Sequence, residues 1–162
     1  MGSHICYATL GQEGEISTTG PEKMMKEQAE EIADKGHMTK ILVIDDNACD
    51  RELLVAVLEE KGYEVILADN GGVGLMLCHQ QTPDAVVLDL NMPGIDGLSI
   101  LRQLRILHPT LPVVVFSGHS AQQVEEEMLN QGATAFIQKA FSLDLLGSAL
   151  QEVLPSPIRA DR

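Results

Sequence analysis

Five short apolar runs, each followed by a segment with helical spacing, leave few folds open to this chain. The runs are Lys40–Ile44, Glu64–Ala68, Ala85–Leu88, Val113–Phe116 and Ala135–Ile137. Each is bounded by turn formers and too short for a helix, so each reads as a strand, and the more continuous ones as strands covered on both faces. The segments between them place apolar residues three and four apart. Asp46 or Asn47 caps a helix to Lys61 with Leu53, Leu54, Val57 and Leu58 inward and Gly62 as its stop. Asp69 or Asn70 opens a second through Gln80, carrying Val73, Leu75, Met76 and Leu77. A third spans Leu98 to His108 around Ile100, Leu101, Leu104 and Leu107, and a fourth spans Ala121 to Gln131 around Val124, Met128 and Leu129. The last runs from Ser142 to Val153, and Pro155 and Pro157 close the pattern. Strands alternating with helices predict an α/β fold, a doubly wound parallel sheet with right-handed crossovers and helices on both faces.

In such a fold every strand delivers its carboxyl end to one edge of the sheet, where open α/β sheets bind ligands. That edge collects Asp45 and Asp46 after the first strand, Asp89 after the third, Ser117 and Gly118 after the fourth, and Lys139 after the fifth. Singly, each has a plain explanation: Asp45-Asp46 as a helix cap, Asp89 as a loop-opening carboxylate, Ser117-Gly118 as a turn, Lys139 as a surface lysine. Their convergence from four strands is what calls for chemistry. Two carboxylates about 4 Å apart repel by roughly 4 kcal/mol at an effective dielectric near 20, so a cation or a retained proton must offset them. No His or Cys ligand pattern lies beside them. An oxygen-preferring divalent ion that keeps water, Mg²⁺ with Mn²⁺ as the alternative, fits Asp45, Asp46 and Asp89 with the backbone carbonyl of Asn91. An aspartate can attack phosphorus only when charge on the phosphoryl oxygens is neutralised, and the metal, Lys139 and Ser117 would supply that.

These residues carry a resemblance. Ile44-Asp45-Asp46, the stretch from Val87 to Gly97 (VLDLNMPGIDG), Phe116-Ser117-Gly118 and Phe136-Ile137-Gln138-Lys139 are similar to the receiver domain of two-component response regulators, of the stand-alone chemotaxis kind. The resemblance spans residues 39 to about 155 and implies a flavodoxin-like sheet in the order 2-1-3-4-5 with five helices. It implies a phosphorylatable signalling switch, not a conventional enzyme. Asp89 would accept a phosphoryl group from a phosphohistidine on a sensor kinase or phosphotransfer protein. Asp46 would bind Mg²⁺ directly and Asp45 largely through water. Lys139, Ser117 and Gly118 would hold the phosphoryl group. Phe136 would be the aromatic that turns inward when Ser117 moves, its plain alternative being a static core residue. Asn91 and His119 would tune dephosphorylation, although His119 also reads as a loop imidazole without a role. The surface of Gln122 to Leu129, Phe136 and Leu143 to Leu150 would dock a downstream protein or form a homodimer. The sequence departs from the family at Ala140, where a proline with a cis bond is usual; a trans Lys139–Ala140 bond is expected, because cis before a non-proline costs about 2.5–4 kcal/mol. A degenerate receiver acting as a constitutive interaction module, or an aspartate-nucleophile phosphohydrolase, would share parts of this pattern.

Composition narrows the partners. Twenty-four acidic residues against 11 basic ones, a formal charge of −13, argue against nucleic acid and anionic membrane surfaces. No apolar run reaches the roughly 18 residues of a membrane span, and no secretion pattern opens the chain. Cys6, Cys49 and Cys78 match neither a disulfide framework nor a zinc site; Cys49 and Cys78 are expected as small buried thiols in a cytoplasmic protein. The glycine-rich Gly71-Gly72-Val73-Gly74 lacks the spacing of a phosphate loop. Residues 1–38 read as an arm, partly disordered or left by cloning: a turn-rich stretch, then Glu22 to Lys35 with (i, i+4) charge pairs and a thin apolar stripe. Met1-Gly2-Ser3-His4 and Gly36-His37-Met38 look like joins, with a natural start at Met38. Residues 156–162 are a short tail, so output is expected through a partner or a separate chain, the alternative being a piece excised from a longer protein.

Overall fold

The computed structural model describes residues 38–118, 122–139 and 143–154. The expected N-terminal arm, Cys6, His119, the Lys139–Ala140 bond, the closing prolines and the tail lie outside the described residues. In chain order the elements are β1 (Lys40–Ile44), α1 (Ala48–Glu60), β2 (Glu64–Ala68), α2 (Gly71–Gln81), β3 (Ala85–Leu88), α3 (Gly97–Leu107), β4 (Val113–Ser117), α4 (Gln122–Asn130), β5 (Ala135–Gln138) and α5 (Leu143–Val153). The sheet order is β2-β1-β3-β4-β5, with every neighbouring pair parallel. This is the expected doubly wound architecture. The fourth and fifth strands each run one residue further than the apolar runs suggest, through Ser117 and Gln138.

Alternation along the strands divides the core in two. Leu42, Ile44, Val86, Leu88, Val113 and Val115 face one side, against Cys78 of α2, Ile100, Leu101 and Leu104 of α3 and Met128 of α4. Ile41, Val43, Val87, Val114, Phe116 and Ile137 face the other, against Leu54 and Leu58 of α1 and Leu146 and Leu150 of α5. The central strands β3 and β4 are buried throughout, as their unbroken apolar sequence requires.

The helix caps follow the residue chemistry. Asn47 accepts from the backbone N–H groups of Cys49 and Asp50, and Asn70 from that of Val73. Gly62 has φ +88° just beyond α1, a conformation that an L side chain resists. The glycine-rich start of α2 serves packing. A Cβ at Gly74 would stand 2.5 Å from Cδ1 of Ile44, so the missing side chain lets α2 settle on β1. Gly74→Ala is expected to lower stability by about 1–3 kcal/mol through overpacking, read from urea unfolding, and Ile44→Val in the same chain to recover part of it.

Several side chains expected inside are not. Leu53 is half exposed because it sits one residue, about 100° of turn, away from the inward Leu54. Met76 follows the buried Gly74 by two residues and so points away from the sheet. Leu107 is the last residue of α3 and Leu129 the penultimate one of α4, and both are exposed at these helix ends. Cys49 is exposed in the first turn of α1, contrary to expectation, whereas Cys78 is buried and its thiol is pushed up by that burial.

Candidate functional site

Strand register builds the site. Ile44 pairs with Leu88, so the next residues, Asp45 and Asp89, leave adjacent strands side by side. Asp45 N–H donates to the carbonyl of Ala68 at 3.1 Å, and Asp89 N–H to that of Ile44 at 2.9 Å. Ser117 pairs with Gln138, and Lys139 N–H donates to the carbonyl of Ser117 at 2.9 Å. Backbone bonds thus place two carboxylates and one ammonium at a common edge before any side chain has chosen a rotamer.

Asp45 and Asp89 are 1% and 3% exposed, while Asp46 is exposed. Oδ1 of Asp45 accepts from Asn47 N–H at 2.9 Å, and Oδ1 of Asp89 from Asn91 N–H at 3.2 Å. Their other oxygens face Lys139: Nζ lies 2.8 Å from Oδ2 of Asp45 and 3.3 Å from Oδ2 of Asp89. One carboxylate oxygen from each of Asp45, Asp46 and Asp89 lies within 4.8 Å of the others, with no His or Cys among them. This donor set fits a small hard cation that takes oxygen ligands. Burial raises the pKa of Asp45, and the neighbouring Asp89 adds to that; hydrogen bonds from Lys139 and Asn47 pull the other way without cancelling it. Burial works against the charge of Lys139, but hydrogen bonds to Asp45 and Asp50 and the charge of Asp89 outweigh it and hold the ammonium above the ordinary lysine range.

An open cleft over this edge is lined by Asp46, Asn47, Asp50, Asp89, Asn91, Gly118 and Lys139. Ser117 is fully buried at the end of β4, beneath that surface. Phe136 is half-buried on β5 against the α3 side of the core. Lys139 Nζ also stands 5.8 Å from the centroid of the Phe116 ring. Asp45, Asp46, Asp89, Asn91, Ser117, Gly118 and Lys139 therefore gather at the edge, whereas Phe136 lies back along β5, paired with Val115.

Two contributors come from α1, where no functional residue was expected. Asp50 accepts from Lys139 Nζ at 2.7 Å, the shortest of the lysine's contacts to the three acids. Arg51 donates through Nη1 to the carbonyl of Asp45 at 2.8 Å. In sequence, Asp50 is an ordinary first-turn acid of the kind that suits a helix N-terminus. The signal that could have found it is its place in the first turn of the helix that opens at the sheet edge, three residues past the cap Asn47.

Residues 41–151 match the response regulator receiver domain family. The chain belongs to that family. The receiver is 31% identical over 116 residues to sporulation initiation phosphotransferase F of Bacillus subtilis, covering 72% of this chain and 94% of that protein. It is 38% identical over 115 residues to the response regulator MprA of Mycolicibacterium vanbaalenii, covering 71% of this chain but only 50% of that longer protein. Chemotaxis protein CheY4 of Vibrio cholerae is similar in structure, with a TM-score of 0.69 and 28% identity over 73% of this chain and all of that one. Among the described residues no helix is long and apolar enough to cross a membrane.

Proposed function

We propose that this receiver is a phosphorylatable switch in which Asp89 accepts a phosphoryl group from a phosphohistidine, in a reaction dependent on Mg²⁺. The observation that carries the reading is Lys139 Nζ at 3.3 Å from Asp89, beside a carboxylate triad suited to a divalent ion. A carboxylate oxygen of Asp89 forms the new O–P bond as the P–N bond breaks, and the donor imidazole keeps the electron pair. Asp45, Asp46, Asp89 and the backbone carbonyl of Asn91 would hold the metal, which supplies charge neutralisation for two anionic reactants. Lys139 supplies a fixed positive charge, with the Ser117 hydroxyl and the Gly118 backbone as further contacts for the phosphoryl oxygens.

The output surface is that of α4, β5 and α5. Its exposed Leu129 and Leu145 offer apolar contacts to a downstream protein or a second copy, and Phe136 is the switch residue between that surface and Ser117. His119 and Asn91 would set the lifetime of the phosphorylated state. Incubation with acetyl phosphate and Mg²⁺ is expected to add one phosphoryl group per chain by intact mass, and chelation with EDTA to abolish the addition. No addition in Mg²⁺ would leave a constitutive interaction module as the better reading. Turnover of a phosphomonoester would point instead to a phosphohydrolase.

A further inference from the structure

We infer that Asp50 is a positioning residue that shares Lys139 with Asp89 and so restrains phosphoryl uptake, an inference that rests on Asp89 being the acceptor. The ammonium has three protons, and its contacts rank Asp50 at 2.7 Å, Asp45 at 2.8 Å and Asp89 at 3.3 Å. Two strong hydrogen bonds therefore draw Nζ toward α1 and β1, and the acceptor takes the longest contact. The third proton is left for a phosphoryl group on Asp89, but reaching it draws Nζ closer than its present 3.3 Å and stretches one of these two bonds. Asp50 is the one to yield, because a third of its side chain is exposed against 2% for Asp45, and water can replace the lysine at the exposed carboxylate at little cost. Asp50 also lines the cleft beside Asp46, where its charge faces an incoming anionic donor. Tethering of the lysine and repulsion of the donor act in the same direction.

The test compares wild type with Asp50→Asn, Asp50→Ser and Asp50→Glu, using acetyl phosphate at saturating Mg²⁺ and intact mass as the readout. Asp50→Asn and Asp50→Ser are expected to speed phosphoryl uptake about three- to tenfold, the range set by one partly screened charge a few ångströms away. Asp50→Glu restores the carboxylate and should stay within about twofold of wild type, a rescue that a general effect on folding would not produce. Acylation of Lys139 by acetic anhydride, followed by peptide mass analysis, should rise at least about twofold in Asp50→Asn, because one hydrogen-bond acceptor is weakened. Uptake that is unchanged or slower in both neutral variants overturns the inference, as does unchanged acylation of Lys139. A wild-type chain that takes no phosphoryl group on Asp89 overturns the proposed function instead, and the acylation result then decides the role of Asp50 alone.

Discussion

Asp89→Asn is expected to take up no phosphoryl group from acetyl phosphate at any Mg²⁺ concentration, while the protein stays folded. The amide keeps the shape of the side chain and an oxygen that can accept from Asn91 N–H, now made at 3.2 Å. Stability changes by no more than about 1 kcal/mol, because losing the pairing with Lys139 and losing the repulsion from Asp45 have opposite signs. What disappears is the nucleophile, since an amide oxygen does not form a stable ester with phosphorus. The informative comparison is Asp46→Asn, which removes an exposed member of the triad and leaves Asp89 intact. That variant should need more Mg²⁺ and then recover most of its uptake, whereas Asp89→Asn recovers none. Equal recovery in both would place the phosphoryl group on another residue. Intact mass against Mg²⁺ concentration, with peptide mapping of the modified site, reads both outcomes.

The place of Asp89 at the sheet edge was legible in the sequence, and the reason lies in backbone register; the separate roles proposed for Asp89 and Asp46 came from the resemblance. A strand that is apolar to Leu88 and then turns to Asp89 fixes where the carboxylate emerges, because in a parallel sheet all strands end at the same edge. The same holds for Asp45, Ser117 and Lys139. The order of the strands did not follow from the apolar runs; alternation alone permits other doubly wound orders, and the order came from the resemblance of the motifs. The helices were less transparent. Leu53 and Leu54 are equally apolar, and only the packing of Leu54 and Leu58 on the sheet decides which of them is buried. Residues of α2 were harder still, since its inward face is Gly71, Gly74 and Cys78, where closeness to Ile44 and Ile100 replaces side-chain bulk. Asp50 stayed hidden for a related reason: its contact with Lys139 depends on which way the first turn of α1 faces, and a hydrophobic pattern marks that direction poorly at a polar helix start.

The second large effect is expected from Lys139→Ala. Without the ammonium, Asp45 and Asp89 remain as nearly buried carboxylates with only backbone N–H groups and solvent to hold their charge. Breaking a buried pair by removing one partner costs about 3–5 kcal/mol. The lysine side chain is 20% exposed, so the lower end, about 3 kcal/mol, applies here. The loss should depend on pH, and its sign follows from the acids left behind. Burial already raises Asp45, and removal of its cationic partner raises it further, so the folded state binds its proton more tightly than the unfolded chain does. Stability then falls as pH rises from the ordinary aspartate range through the raised value, and urea unfolding in EDTA should show a larger deficit at pH 8 than at pH 5. A divalent ion should reverse the picture. With the ammonium no longer competing for the triad, Lys139→Ala is expected to bind Mg²⁺ more tightly than wild type by calorimetry. An ion at 100 times its dissociation constant restores about 2.7 kcal/mol, most of what was lost. Phosphoryl uptake should still fall by about 10²–10³, because the ion does not replace a fixed donor aimed at the phosphoryl oxygens. A variant that is destabilised but binds Mg²⁺ no better would separate the lysine from the metal site and leave the carboxylates without the role assigned to them.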